Sequence, residues 1–201
     1  MPGPETITGL ILAGGRGQRM GGADKGLILL DGRSMVEHVI ARVHPQVSSI
    51  LISANRNQER YAAFGFPVIA DTLEDYLGPL AGIASASQAA VTDYIVTVPC
   101  DAPLVSETLV AGLAAAMERE TADLAVAHDG QRLQPAFLLF KRTLLPDLAT
   151  FLLAGGRSIE QWLKRHRFAV ADFHECAETF MNVNDPLQHQ VLDTRLRQPR
   201  P

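Results

Sequence analysis

Short apolar runs alternate with amphipathic stretches along most of the chain. Ile7-Thr8-Gly9-Leu10-Ile11-Leu12 is a short, largely apolar run that stops at glycines, the pattern of a strand buried on both faces. Asp31-Gly32 marks a tight turn, and Ser34-Met35-Val36-Glu37 reads as a capping box, with Ser as cap and Glu three residues later. Val36, Val39, Ile40 and Val43 then repeat at helical spacing as far as Pro45. The pattern predicts strands over 49–53 and 68–70 with a helix over 58–64 between them. A helix rich in small residues over 80–90 leads to a buried strand over 94–98, and Ser106 is placed to cap a helix running to about Arg119. This βαβαβα rhythm predicts a mainly parallel sheet with helices on both faces.

Beyond Asp123 the rhythm changes. Residues 124–128, the turn Asp129-Gly130 and residues 135–140 predict a hairpin. A helix over 144–153, a second capping box at Ser158-Ile159-Glu160-Gln161 opening the helix that holds Trp162, and a strand over 169–173 follow. Asn184-Asp185-Pro186 starts a final helix with Pro in its first turn. The expected fold is α/β, one domain over 1–201 built on a doubly wound, mostly parallel sheet with an added hairpin in the C-terminal half. The first 6 residues and 195–201 are expected to be frayed.

Composition narrows the function. Of 201 residues, 47% are hydrophobic and 20% charged, with 18 Lys+Arg against 22 Asp+Glu, a net charge of −4. These values exclude a disordered chain or a disulfide scaffold, and the mild acidity argues against a nucleic-acid binder. Cys100 and Cys176 have no zinc spacing and fit a reducing compartment. No apolar run approaches the ~18 residues of a spanning helix, and the N-terminus makes a poor signal peptide, so the expectation is a cytoplasmic protein with no membrane partner.

The most informative stretch runs from Leu12 through Ala13, Gly14, Gly15, Arg16, Gly17 and Arg19 to Asp24 and Lys25. It follows the first strand, at the end of the sheet where open α/β folds bind ligands. Its 5 glycines in 14 residues let backbone N–H groups approach phosphate oxygens, and Arg16, Arg19 and Lys25 add positive charge. The dinucleotide fingerprint fails because Met20 stands where its third Gly belongs. The P-loop fails because Asp24, not Gly, precedes Lys25.

This stretch resembles the L-A-G-G-x-x-x-R-M-G-x-x-K signature of nucleotidyltransferases with a glycosyltransferase-A-like, Rossmann-like fold. Over about residues 7–192 the chain looks like the molybdenum cofactor guanylyltransferases. The resemblance implies transfer of GMP from GTP to the phosphate of molybdopterin, forming the dinucleotide cofactor and pyrophosphate. It implies Mg²⁺ as cofactor, GTP and molybdopterin as substrates, and cofactor-insertion proteins and apo-molybdoenzymes as further partners. A monomer is expected.

Asp101, in Pro99-Cys100-Asp101-Ala102-Pro103, lies just past a buried strand and suits Mg²⁺, which takes one or two carboxylates plus phosphate oxygens. The family's C-D-x-P motif implies the same metal role, with Arg19, Lys25 and Asp101 as the catalytic set. Resemblance also places Leu12, Ala13, Gly14, Gly15, Lys25, Asn55, Asp71, Gly78, Pro79, Leu80, Gly82 and Asp101 at the nucleotide, with 78–82 reading the base. The family often has Asn at both ends of an N-x-N; here Ser53 takes the first place and Asn55 the second. Asn182 and Asn184 match an N-V-N motif at the pterin end, and His128, Arg132 and Gln134 lie in a region that family members use toward the same side. Cys100 reads as a packed residue rather than a nucleophile. The alternatives are a cytidylyltransferase or sugar-phosphate nucleotidyltransferase, a non-catalytic GTP-binding module, and a scaffold for cofactor delivery.

Overall fold

The computed structural model describes residues 1–14, 23–71 and 78–197. β1 (Ile7–Leu12) is followed by β2 (Leu29–Leu30), β3 (Arg33–Ser34), α1 (Met35–Val43), β4 (Ser49–Ser53), α2 (Gln58–Ala62) and β5 (Val68–Ile69). Then come α3 (Pro79–Ser87), β6 (Tyr94–Pro99), α4 (Leu109–Arg119), β7 (Leu124–His128) and β8 (Leu133–Lys141). α5 (Leu145–Leu153), α6 (Ile159–Leu163), β9 (Phe168–Asp172) and α7 (Pro186–Arg197) complete the order.

The main sheet has 7 strands in the order β5-β4-β1-β6-β8-β7-β9. β1 pairs in parallel with β4 on one side and β6 on the other, so the winding reverses between β1 and β6. A crevice opens beyond the carboxyl ends of strands at such a switch point. β8 runs antiparallel to both neighbours, while β7 and β9 pair in parallel.

Alternation along β1 explains the layers. Ile7 and Ile11 join a core with Val36, Val39 and Val43 of α1 and Leu109, Val110 and Leu113 of α4. Leu10 points the other way, into a core with Leu80 and Ile83 of α3, Leu148 of α5 and Trp162 of α6. Successive side chains on a strand face opposite sides, so one run of apolar residues fills two cores. Gln46 ties α1 to α4: its Nε2 donates to the carbonyls of Arg42 (2.8 Å) and Ser106 (2.9 Å), and its Oε1 accepts the N–H of Val110 (2.9 Å).

The expected hairpin in the C-terminal half is β7–β8, and β8 lies between β6 and β7, so the main sheet continues through it. Asp31-Gly32 closes a second hairpin, β2–β3, with both residues at positive φ (50° and 76°), as a type I′ turn requires. Ser106 stands before the cap of α4: its Oγ accepts the N–H of Thr108 (3.1 Å), and the helix starts at Leu109. At the N-terminus, Pro4–Thr6 form a 3-10 turn and the Met1 amine pairs with Glu118 (2.9 Å). α7 runs on to Arg197, with Arg195 bound to Glu178 (2.7 Å) and Arg197 to Asp193 (2.8 Å). Residues 198–201 lie outside the described residues.

A small third core joins Leu30 of β2 and Met35 of α1 to Val183 and Leu192 near the C-terminus. Polar bonds reinforce it. His189 Nε2 donates to the carbonyl of Leu29 (2.6 Å), and the N–H of Asp31 donates to Asp193 (2.6 Å). The β2–β3 hairpin is thus the platform that carries α7.

Candidate active site

The end of β1 lies between its two neighbours. Ala13 N–H donates to the carbonyl of Ser53 at the end of β4 (2.8 Å), and Cys100 N–H, past β6, donates to the carbonyl of Leu12 (3.0 Å). Two polar clusters flank Leu12-Ala13-Gly14.

On the β6 side, Lys25 reaches in from a 3-10 turn at Lys25–Leu27. Its Nζ lies 3.0 Å from Asp101 Oδ2 and donates to Asn184 Oδ1 at 2.6 Å. Both members of the ion pair are sheltered, with side chains 22% and 14% exposed, so solvent screens the pair less than a surface bridge. Asn184 arrives because Val183, wholly buried in the third core, donates its N–H to the Asp101 carbonyl (2.9 Å). Asn184 Nδ2 donates in turn to the Asn182 carbonyl (3.3 Å), and Asn182 Oδ1 is buried with no partner among the described residues. The predicted residues Lys25, Asp101, Asn182 and Asn184 therefore form one cluster.

On the β4 side, Asn55 and Asp71 bind each other reciprocally. Asn55 Nδ2 donates to Asp71 Oδ2 (2.9 Å), and the N–H of Asp71 donates to Asn55 Oδ1 (2.7 Å). The Asn55 amide is thus engaged in orienting Asp71. The other Asp71 oxygen, Oδ1, is buried with no partner among the described residues, so a donor from a ligand would satisfy it. Gly82 of α3 packs against this pair: a Cβ there would fall 2.7 Å from Ser53 Oγ and 3.1 Å from Asp71 Oδ1. Gly82 serves as the close-approach point of helix and strand, whereas Gly78, at φ +83°, precedes Pro79 at the mouth of α3. Leu80 is fully buried in the core beneath α3, so its side chain cannot line the crevice. Gly14 lies against Asn55, with Nδ2 3.8 Å from where its Cβ would be. Gly15, Arg16 and Arg19 fall outside the described residues.

Beneath Lys25 is a buried floor. Tyr61 is fully buried and donates to Asp24 Oδ1 (2.6 Å), and Asn57 Nδ2 donates to Asp24 Oδ2 (3.0 Å). Burial, with Cys100 and Asp24 close by, raises the Tyr61 phenol far above its ordinary value, so it remains a donor. Burial, with Asp101 and Asp24 beside it, likewise pushes the Cys100 thiol well up, which leaves a packed, protonated thiol rather than a nucleophile. Sequence reading missed Tyr61. The available signal was an aromatic with a hydroxyl on the inward face of a short helix, which needs a polar partner.

His128, Arg132 and Gln134 sit at the β7–β8 tip, at the same end of the sheet. The tip is closed on itself: Asp129 Oδ1 accepts the N–H groups of Gln131 and Arg132 (2.8 Å each), and Oδ2 accepts Gln134 Nε2 (2.6 Å).

A doubly wound sheet with a lysine, a carboxylate and bared backbone meeting at its switch point defines a nucleotide-handling α/β protein. The chain belongs to the MobA-like NTP transferase domain family, which it matches over residues 9–193, and it is a nucleotidyltransferase. It is 51% identical over 192 residues to a molybdenum cofactor guanylyltransferase of Shewanella sp. (strain ANA-3), covering 96% of this chain and 98% of that one. The protein of the same name from Shewanella halifaxensis is 48% identical over 186 residues, 92% of this chain and 93% of its own. Among solved structures, the molybdopterin-guanine dinucleotide biosynthesis protein A of Archaeoglobus fulgidus superposes with a TM-score of 0.77 at 20% identity, over 94% of this chain and 98% of that one. The 4-diphosphocytidyl-2C-methyl-D-erythritol synthase of Anaerococcus prevotii gives 0.76 at 12% identity, over 96% and 97%. Those two show the shared fold.

Proposed function

We propose that this chain transfers GMP from GTP to the phosphate of molybdopterin, in its metal-bearing form, releasing pyrophosphate. The observation that carries the reading is the convergence of Lys25, Asp101 and Asn184 at the switch point of a chain about half identical, end to end, to molybdenum cofactor guanylyltransferases. In the reaction an oxygen of the acceptor phosphate bonds to the α-phosphorus of GTP. The bond from that phosphorus to the β-bridging oxygen breaks, and pyrophosphate leaves with the electron pair. The acceptor is already an anion near neutral pH, so no side chain has to remove a proton. Protein catalysis of such transfers is mostly positioning and charge stabilisation.

Among the described residues, Asp101 and Asn184 take two of the three N–H donors of Lys25. The third would bind a phosphate oxygen, a task shared with Arg19 and the N–H groups near Gly14 and Gly15. A cationic group already sits between Asp101 Oδ2 and Asn184 Oδ1, so this pair of hard oxygens suits a cation. Asp101, with Asn184 beside it, would hold Mg²⁺, which supplies charge neutralisation on the phosphates. Leu12 to Gly14, Asp71 oriented by Asn55, and the Gly78–Gly82 segment would take the nucleoside end, and Asn182 and Asn184 the pterin side.

The reading further takes one domain and one chain as the working unit, in the cytoplasm, with product passing to insertion proteins or apo-molybdoenzymes. Cys100 and Cys176 are free, and no helix of the described residues is long and apolar enough to cross a membrane. Pyrophosphate release, measured with GTP, CTP, ATP and UTP against molybdopterin and against sugar phosphates, tests the function. Release with GTP and molybdopterin alone is expected; preference for CTP or a sugar phosphate would overturn the reading.

A further inference from the structure

Lys25 follows an acid. A carboxylate beside a phosphate-binding ammonium would compete for that ammonium and repel the phosphate, unless something holds it elsewhere. Both oxygens of Asp24 are taken: Oδ1 by the Tyr61 hydroxyl at 2.6 Å and Oδ2 by the Asn57 amide at 3.0 Å. Asn57 adopts a left-handed conformation (φ +51°) at the start of α2, which sets its amide and the following helix, with Tyr61, toward Asp24. The Asp24 carbonyl accepts the Leu27 N–H (3.0 Å), so the same residue opens the 3-10 turn from which Lys25 projects. Gly26 lets the turn lie flat on this floor, since a Cβ there would fall 2.5 Å from Tyr61 Oη and 3.0 Å from Cys100 Sγ. Cys100 is bonded in the chain to Asp101, so the floor directly adjoins the lysine's partner.

We propose that Tyr61 is a positioning residue for nucleotide binding: with Asn57 it ties the Asp24 carboxylate down and leaves the Lys25 ammonium free for Asp101, Asn184 and a nucleotide phosphate. This rests on the reading of Lys25 as a phosphate ligand. Tyr61→Phe keeps the ring in the core and removes only the hydroxyl. The tether is then lost, and GTP affinity of the full chain, measured by calorimetry, falls roughly tenfold, while kcat at saturating GTP changes little.

Neutralising the acid removes the cause of the loss, so Tyr61→Phe combined with Asp24→Asn returns GTP affinity toward that of the unaltered protein. A role in folding alone would leave the double variant no better than the single one. Unchanged affinity in Tyr61→Phe, or no recovery in the double variant, overturns the proposal. Lys25→Met separates the two levels: if it weakens GTP binding while Tyr61→Phe does not, only the tether fails. If Lys25→Met binds GTP normally, the phosphate reading itself falls, and the tether with it.

Discussion

The ammonium of Lys25 lies 3.0 Å from the carboxylate of Asp101, although 76 positions separate them along the chain. Lys25 opens the 3-10 turn Lys25–Leu27, downstream of β1, and Asp101 lies just past β6; the parallel pairing of these strands brings both to one edge of the sheet. That arrangement makes the first prediction direct.

Asp101→Asn keeps the shape of the side chain and removes its charge. Turnover dependent on a divalent ion should fall by about 10²–10³, the range seen when one charge-stabilising group is lost from an active site. The sheltered pair with Lys25 contributes on the order of 1 kcal/mol, so Tm should move by only ~2–4 °C. Normal turnover at saturating Mg²⁺ would remove Asp101 from the site.

Gly82→Ala would place a methyl carbon 2.7 Å from Ser53 Oγ and 3.1 Å from Asp71 Oδ1. Helix α3 must shift, at a cost of roughly 1–3 kcal/mol in stability and with weaker GTP binding. Ser53→Ala removes the nearer atom, so the double variant should recover part of both. Urea unfolding and GTP titration of the two variants read the effect, and a double variant no better than Gly82→Ala would refute the steric account.

Gln46→Ala leaves the Val110 N–H without its buried acceptor and severs α1 from α4. The expected loss is about 2–4 kcal/mol in urea unfolding, since two or more buried hydrogen bonds go at once. GTP affinity should hold, because Gln46 lies in the turn before the amino end of β4, the opposite end of that strand from Ser53. A stable variant would show that the three bonds contribute nothing net.

Glu37 accepts the Ser34 hydroxyl (2.6 Å) and the Ser34 N–H (2.7 Å), and the hydroxyl bond above all holds its carboxyl below the ordinary carboxylate range. A carboxylate with a depressed folded value stabilises the protein above its unfolded value, near 4.3, and loses that contribution as pH falls through the folded one. Glu37→Gln should therefore cost about 0.5–1 kcal/mol at pH 7, and the gap to the parent should close below pH ~4. Equal gaps at pH 7 and pH 3, from urea midpoints, would contradict this.

Strands and helices were legible because their signals are local. Ile7–Leu12, Ser49–Ser53 and the α1 stripe each state their period within a few residues. The nearness of Lys25 and Asp101 was legible for a related reason: in a parallel sheet every strand's carboxyl end lies on one edge, so residues that follow two such strands come close together. Two-residue strands state no period, and the β2–β3 hairpin passed as a bare turn. Yet that hairpin carries α7 and delivers Asn184 to Lys25 across 159 positions.

By itself, then, the sequence determined the layered α/β class and the place of an acid just past β6. Only the tertiary structure decided that β8 enters the sheet against its neighbours, that Asn55 is committed to Asp71, and that Tyr61 holds Asp24. These are pairings between distant segments, chosen by which buried polar groups and apolar faces complement one another once the chain is packed. No local pattern of residues carries that information.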